Sequence, residues 1–330
     1  MIPVVDGHND ALLEAWVRGS DLRERGAAPH FDLVRAREGG FAAGFFAVFV
    51  PWRDDREIDP VHESEALDPA RAARIAAEMI EILLALDRSG ALVVARNVTD
   101  VERALAGGPL AAILHLEGAE PVDPQLTRLE PLVERGLRSL GLVWSRPNAF
   151  ATGVPWLRGG DDGPGLTAPG RELVRACNDL GVLVDVSHLN AAGFADVAAL
   201  SRAPLVATHS PLRALRPGPR SLSDEQLRRI AASGGVVGIP LVAELLRSDG
   251  ACEGHTTLRV FADHVERAVT VMGVDHVAIG SDLDGGALLD EIGDAAGLQR
   301  ALEVLGWSET EQRRLAHENW LRVLRATWKE

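Results

Sequence analysis

Two cysteines in 330 residues, Cys177 and Cys252, are too few and too far apart to build a disulfide framework, and no C-x-x-C pair offers a thiolate metal site. Both read as reduced packing residues. Positive charge is also scarce: 34 Lys and Arg stand against 48 Asp and Glu, a formal net charge of −14. That balance argues against nucleic acid or an anionic membrane as partner, because phosphate surfaces need clustered cations. No uninterrupted apolar stretch reaches the roughly 20 residues that span a bilayer. Met1-Ile2-Pro3 runs straight into an apolar segment without a basic n-region or a cleavage site, so a cytoplasmic protein is expected. These absences leave a small molecule as the expected substrate.

What is present is ordinary in bulk and informative in order. A hydrophobic fraction of 46% with 25% charged residues suits a soluble globular chain. Apolar, β-branched runs alternate with longer helical stretches, the pattern of βαβ units around a parallel sheet. Eight such runs are expected as barrel strands: 3–6, 45–50, 111–116, 139–143, 182–186, 205–208, 236–240 and 277–280. Helices are expected over 69–88, 125–135, 170–180, 224–232 and 258–272, each with apolar positions at helical spacing. Asp68-Pro69 reads as an N-cap followed by proline at the first helical position, and Ser223 with Gln226 reads as a capping box. The alternation predicts an α/β fold, a (β/α)8 TIM barrel filling residues 1–330 as one domain, with its active site at the C-terminal ends of the strands. The stretch 91–95 has no slot in the barrel and is expected as an extra strand outside it, and 308–328 as one or two closing helices. Two connections, 51–68 and 145–169, are unusually long; both follow strands and so belong on the catalytic face.

Potential ligands gather at the predicted strand ends. His8-Asn9-Asp10 closes the first strand, and because side chains alternate along a strand, His8 and Asp10 share a face. Glu117 ends the third strand, His188 the fifth, His209 the sixth and Asp282 the eighth. Three imidazoles and three carboxylates at one end of a barrel outnumber the needs of a single tetrahedral zinc, so two metal ions bridged by a carboxylate are expected. His115 shares a face with Glu117 and reads as a packing or supporting residue before it reads as a ligand. Asp284 shares a face with Asp282, where loop capping competes with chemistry. His30, His62, His255, His264, His276 and His317 fall away from the strand ends.

The segments Asp6-Gly7-His8-Asn9-Asp10, Glu117-Gly118, Asp185-Val186-Ser187-His188, Thr208-His209-Ser210 and Gly280-Ser281-Asp282-Leu283-Asp284-Gly285 resemble, in order and spacing, the signatures of the membrane (renal) dipeptidase family. The resemblance covers nearly the whole chain, down to Glu318-Asn319-Trp320-Leu321-Arg322-Val323. It implies a barrel with two Zn2+ ions, a soluble member without the lipid anchor of membrane-bound relatives, a homodimer, and hydrolysis of L,L and also L,D dipeptides by a hydroxide bridging the metals. By the same resemblance His8 and Asp10 bind one zinc, His188 and His209 the other, and Glu117 bridges them. Asp282 matches the acidic residue beside the bridging water, and Arg220 matches the arginine that receives the substrate carboxylate, a task suited to a forked guanidinium. The chain departs from the pattern at Trp144, which occupies the place of a substrate-binding histidine; an indole takes no charge and donates a single hydrogen bond. That departure keeps one alternative open, a related binuclear metal hydrolase acting on another amide, an ester or a lactone; a catalytically silent binding protein that retains the barrel is the other.

Overall fold

The computed structural model describes residues 1–27, 29–52, 65–155, 160 and 163–329. Strands β1 (Val4–Asn9), β2 (Phe41–Phe49), β4 (Ala111–Glu117), β5 (Leu137–Gly141), β6 (Leu183–Asp185), β7 (Val206–Ala207), β8 (Val236–Ile239) and β9 (Val277–Ile279) pair side by side in that order, all parallel. The ends of the sheet meet where Asp282 N–H donates to His8 O at 2.9 Å and Asp10 N–H donates to Leu283 O at 2.8 Å. The result is a nearly closed barrel of eight parallel strands with helices around it, the expected (β/α)8 architecture. The eight expected runs all overlap its strands. The additional strand β3 (Val93–Val94) pairs only with β4, outside the barrel order, as expected for 91–95. No described helix is long and apolar enough to cross a membrane.

Alternation divides each strand between two cores. On β4, Ala112, Leu114 and Leu116 face the helices, whereas Ala111 and Ile113 point inward with Val5, Phe45, Leu183, Val206, Val236 and Ala278 to fill the barrel floor. Trp320, on the C-terminal helix Asn319–Thr327, plugs that floor from below, fully buried against Phe45 and donating from Nε1 to Ile279 O. With the floor filled, the inward positions farther along β4, His115 and Glu117, can only lie toward the opposite mouth.

Helix starts follow their capping chemistry. Asp68 accepts the N–H groups of Ala70 and Arg71 at the start of Pro69–Arg88, and Ser223 with Gln226 forms the predicted box at Asp224–Ala232. The expected helix over 125–135 is shorter, Leu129–Glu134. Asp123 takes the N–H groups of Gln125, Thr127 and Arg128, and Leu126 adopts a positive φ of 62°, so a carboxylate-held turn replaces the first helical turns. The closing segment is Glu309–Arg313, a π-helical turn Arg314–Glu318 and Asn319–Thr327. Of the two long connections, 53–64 and most of 156–162 lie outside the described residues.

Candidate metal centre

The six acidic and imidazole groups singled out at the strand ends meet at the C-terminal mouth. Glu117 lies at the centre. Its Oε2 is 3.5 Å from His8 Nε2, which is 3.8 Å from Asp10 Oδ2. Its Oε1 is 3.1 Å from His188 Nε2 and 3.5 Å from His209 Nε2, and those two nitrogens are 3.0 Å apart. Asp282 joins His8 and His209, so the donors form three overlapping groups: His8, Asp10, Glu117; Glu117, His188, His209; and His8, His209, Asp282, each with its ligand atoms within 4.8 Å. All six side chains are buried.

Backbone strain accompanies this convergence. His188 and Asp282 sit at φ of 67° and 61°, left-handed values that non-glycine residues avoid unless surrounding structure imposes them. Gly285 explains how Asp10 and Asp282 come close: a Cβ there would lie 2.0 Å from Asp282 Oδ1 and 2.7 Å from Asp10 Oδ2.

Neighbouring groups orient the donors. Asp6 accepts Ser281 N–H at 2.7 Å and Ser281 Oγ–H at 2.9 Å, which tethers β1 to the residue before Asp282. Asp185 accepts the N–H groups of Ser187 and Thr208 and the Thr208 hydroxyl, and Thr208 Oγ1 lies 2.9 Å from His209 Nδ1. His188 Nδ1 is 3.2 Å from Ser145 Oγ. Neither ring nitrogen of His8 makes a hydrogen bond among the described residues.

The electrostatics favour positive charge at the centre. Burial opposes ionisation of His8, yet the carboxylates of Glu117, Asp10 and Asp282 outweigh it and raise its pKa to about 10. Burial also pushes Glu117 up, but the facing imidazoles of His8 and His188 take it well below the usual carboxylate range. Burial and then the Arg220 charge lower His188 to about 4, while burial, His8 and Arg220 take His209 well below the ordinary value. Burial raises Asp282 to about 6, against the pull of His8. Neutral imidazoles, ionised carboxylates and an orphaned buried imidazole make a donor set that fits divalent metal ions of the zinc type.

The remaining predicted residues border this cluster. Arg220 is 3% exposed, donating from Nη1 to Ser210 Oγ at 2.8 Å and from Nη2 to His209 O at 2.5 Å, with Nε unbonded among the described residues. Burial lowers its pKa only to about 10, which leaves it cationic at neutral pH. Trp144 is buried, 6.0 Å ring to ring from His188 and edge-on to Phe49 at 5.0 Å. Arg146 packs its guanidinium over both Trp144 and Phe49 and pairs with Glu120 at 3.3 Å. His115 binds Ser139 Oγ through Nδ1 and belongs to none of the three donor groups. Asp284 accepts the backbone N–H groups of His30 and Phe31, so it latches a loop. His264, His276 and His317 each bind backbone carbonyls, as non-ligand histidines should. His62 lies outside the described residues.

The chain as a whole is similar to known proteins. A family model described as membrane dipeptidase (peptidase family M19) matches residues 1–329. An uncharacterised protein of Klebsiella pneumoniae is 42% identical over 247 residues, 73% of this chain and 91% of that one. An uncharacterised dipeptidase of Schizosaccharomyces pombe is 30% identical over 293 residues, 86% of this chain and 69% of that one. Among solved structures, a metallopeptidase of Rhodobacter sphaeroides, liganded with a phosphinate mimic of the dipeptide L-Ala-D-Ala, superposes with a TM-score of 0.92 at 39% identity, covering 99% of each chain.

Proposed function

The chain belongs to the membrane dipeptidase family and is a metal-dependent peptide-bond hydrolase, and on that premise we propose that it cleaves dipeptides, L,D as well as L,L, with two zinc ions. His8 and Asp10 would hold one ion, His188 and His209 the other, with Glu117 between. The observation that carries this reading is the division of Glu117, whose Oε2 faces His8 and whose Oε1 faces His188 and His209. L,D substrates are suggested by the L-Ala-D-Ala mimic bound by the Rhodobacter relative.

A metal pair held at this position would supply an acidified water and a Lewis acid for the scissile carbonyl. The protein's own groups would do the rest. Asp282, with its pKa raised by burial, takes a proton from the attacking water and returns it to the leaving amine. Arg220 orients the substrate by its terminal carboxylate, using donor capacity that Ser210 and His209 leave unfilled at Nε. Trp144 forms an apolar wall beside His188, braced from behind by Arg146. A wall without charge leaves carbonyl polarisation to the centre itself and favours small apolar residues next to it.

The test is metal content and turnover of L-Ala-L-Ala, L-Ala-D-Ala and matched simple esters by zinc-loaded protein, beside Arg220→Ala. Dipeptide cleavage that drops with Arg220→Ala supports the reading. Ester turnover that exceeds dipeptide turnover and ignores Arg220→Ala would replace it with the ester or lactone hydrolase alternative.

A further inference from the structure

His209 is backed by a hydrogen-bond chain whose direction can be deduced by counting protons. The Thr208 hydroxyl has a single hydrogen, and at 2.6 Å from Asp185 Oδ2 it donates there, since a carboxylate accepting three donors has nothing to give back. Toward His209 Nδ1, 2.9 Å away, the Thr208 oxygen can then only accept. The proton of His209 is thereby assigned to Nδ1, and its lone pair to Nε2, the atom that faces Glu117 Oε1 and His188 Nε2.

We propose that Thr208, oriented by Asp185, is a positioning residue that fixes the Nδ1–H tautomer of His209 and strengthens the metal site this nitrogen faces; the proposal rests on the reading of His209 as a ligand. The opposing view is that the hydroxyl only satisfies buried Asp185. It accounts for the 2.6 Å bond but not for the placement of the same oxygen against Nδ1. The backbone of Thr208 is secured independently of its side chain. Its N–H goes to Asp185 Oδ1, and its carbonyl oxygen is enclosed by Gly238 and Gly280, where a Cβ on either would come within 1.9 Å. Thr208→Val therefore deletes the hydroxyl without removing what anchors the strand end. His188 has a weaker version of the device, Ser145 Oγ at 3.2 Å, and His8 has none among the described residues.

The experiment measures zinc affinity by chelator competition for the wild type, Thr208→Val, Thr208→Ser and His209→Ala, and the tautomer of His209 by long-range 1H–15N NMR of the metal-free protein. Partners of this kind typically change metal affinity about 10- to 100-fold. That loss is expected for Thr208→Val, with recovery in Thr208→Ser and an Nδ1–H signature for His209 in the wild type. If Thr208→Val binds zinc like the wild type while His209→Ala does not, the positioning role is overturned and the ligand reading stands. If His209→Ala also binds normally, the ligand reading falls and takes the proposal with it. Should Thr208→Val not fold, the wild-type spectrum still decides: a proton on Nε2 of His209 overturns the proposal.

Discussion

At the β6/β7 seam, His209 is steered through Nδ1 by Thr208 and, behind it, by Asp185. At the β9/β1 seam the corresponding pair, Asp6 and Ser281, grips the backbone on either side, while the imidazole of His8 hydrogen-bonds nothing described and stands among Glu117, Asp10 and Asp282. The two seams use the same parts, a buried aspartate and a hydroxyl on the residue before a site residue. They differ in what the hydroxyl touches. One side orients its imidazole by directed bonds; the other relies on surrounding negative charge, which attracts a cation without dictating its exact position. Such a site would owe its geometry to the first side and much of its attraction for metal to the second.

The largest break in that comparison should come from the residue both sides share. Glu117→Gln keeps the shape, removes the charge that holds His8, and replaces one of the two acceptor oxygens at the centre by an NH2 donor. Bound metal should fall on both sides and kcat/KM by roughly 10³-fold, the equivalent of the several kcal/mol that metal ions contribute to such transition states. Metal analysis with steady-state kinetics checks it; a Gln variant that keeps its metal and its turnover would mean that Glu117 only packs between two independent halves. Asp282→Asn should separate chemistry from binding, lowering kcat by about 10²- to 10⁴-fold with metal retained. Loss of metal in that variant would instead make Asp282 a ligand of the His8 side.

The contrast between the seams also marks what could be read from sequence. The donors were legible because strand alternation and strand ends are one-dimensional properties: His8 and Asp10 two apart, Glu117 closing an apolar run. The hydroxyls were not, since Thr208 reaches an aspartate 23 positions away and Ser281 one 275 positions away, and nothing local separates them from ordinary strand-end residues. A weak signal existed, because a charge such as Asp6 or Asp185 inside an apolar strand must find a partner once buried. Arg146 was missed for a related reason: its role depends on Trp144, Phe49 and Glu120, which come from three different strand ends. The barrel was legible throughout, and the one misjudged helix start fell where the Asp123 carboxylate outcompeted helical bonding.

Acid should weaken the packing beneath the β7 side. Under the loop that carries Arg220, buried His264 donates from Nε2 to Leu246 O and accepts Leu212 N–H on Nδ1, which ties the loops after β7 and β8 together. Burial lowers its pKa to about 4, so the folded state holds it neutral while the unfolded chain takes up a proton near 6.5. The contribution is complete above pH 6.5 and lost as pH falls toward 4, on the order of 2 kcal/mol by pH 5. Urea unfolding at pH 7.5 and pH 5 of the wild type beside His264→Gln checks it: the variant should be less stable at pH 7.5, and its change between the two pH values should differ from the wild type's by about that amount. An equal slope in the variant would move the acid sensitivity elsewhere.

The smallest expected effect is the sharpest on the comparison itself. Ser281→Ala removes the hydroxyl donor to buried Asp6 but leaves the Ser281 N–H bond to Oδ1, so it should cost about 1–3 kcal/mol of stability and a few degrees in Tm. Because that hydroxyl meets Asp6 and the backbone carbonyl of His8 and not the His8 imidazole, zinc affinity by chelator competition should stay near the wild-type value. The two seams would then respond oppositely: Ser281→Ala loses stability and keeps metal, whereas Thr208→Val loses metal affinity. If Ser281→Ala weakened zinc as strongly as Thr208→Val, the hydroxyls would be acting alike, through the rigidity of the strand ends, and the distinction between a bond-directed and a charge-directed side would collapse.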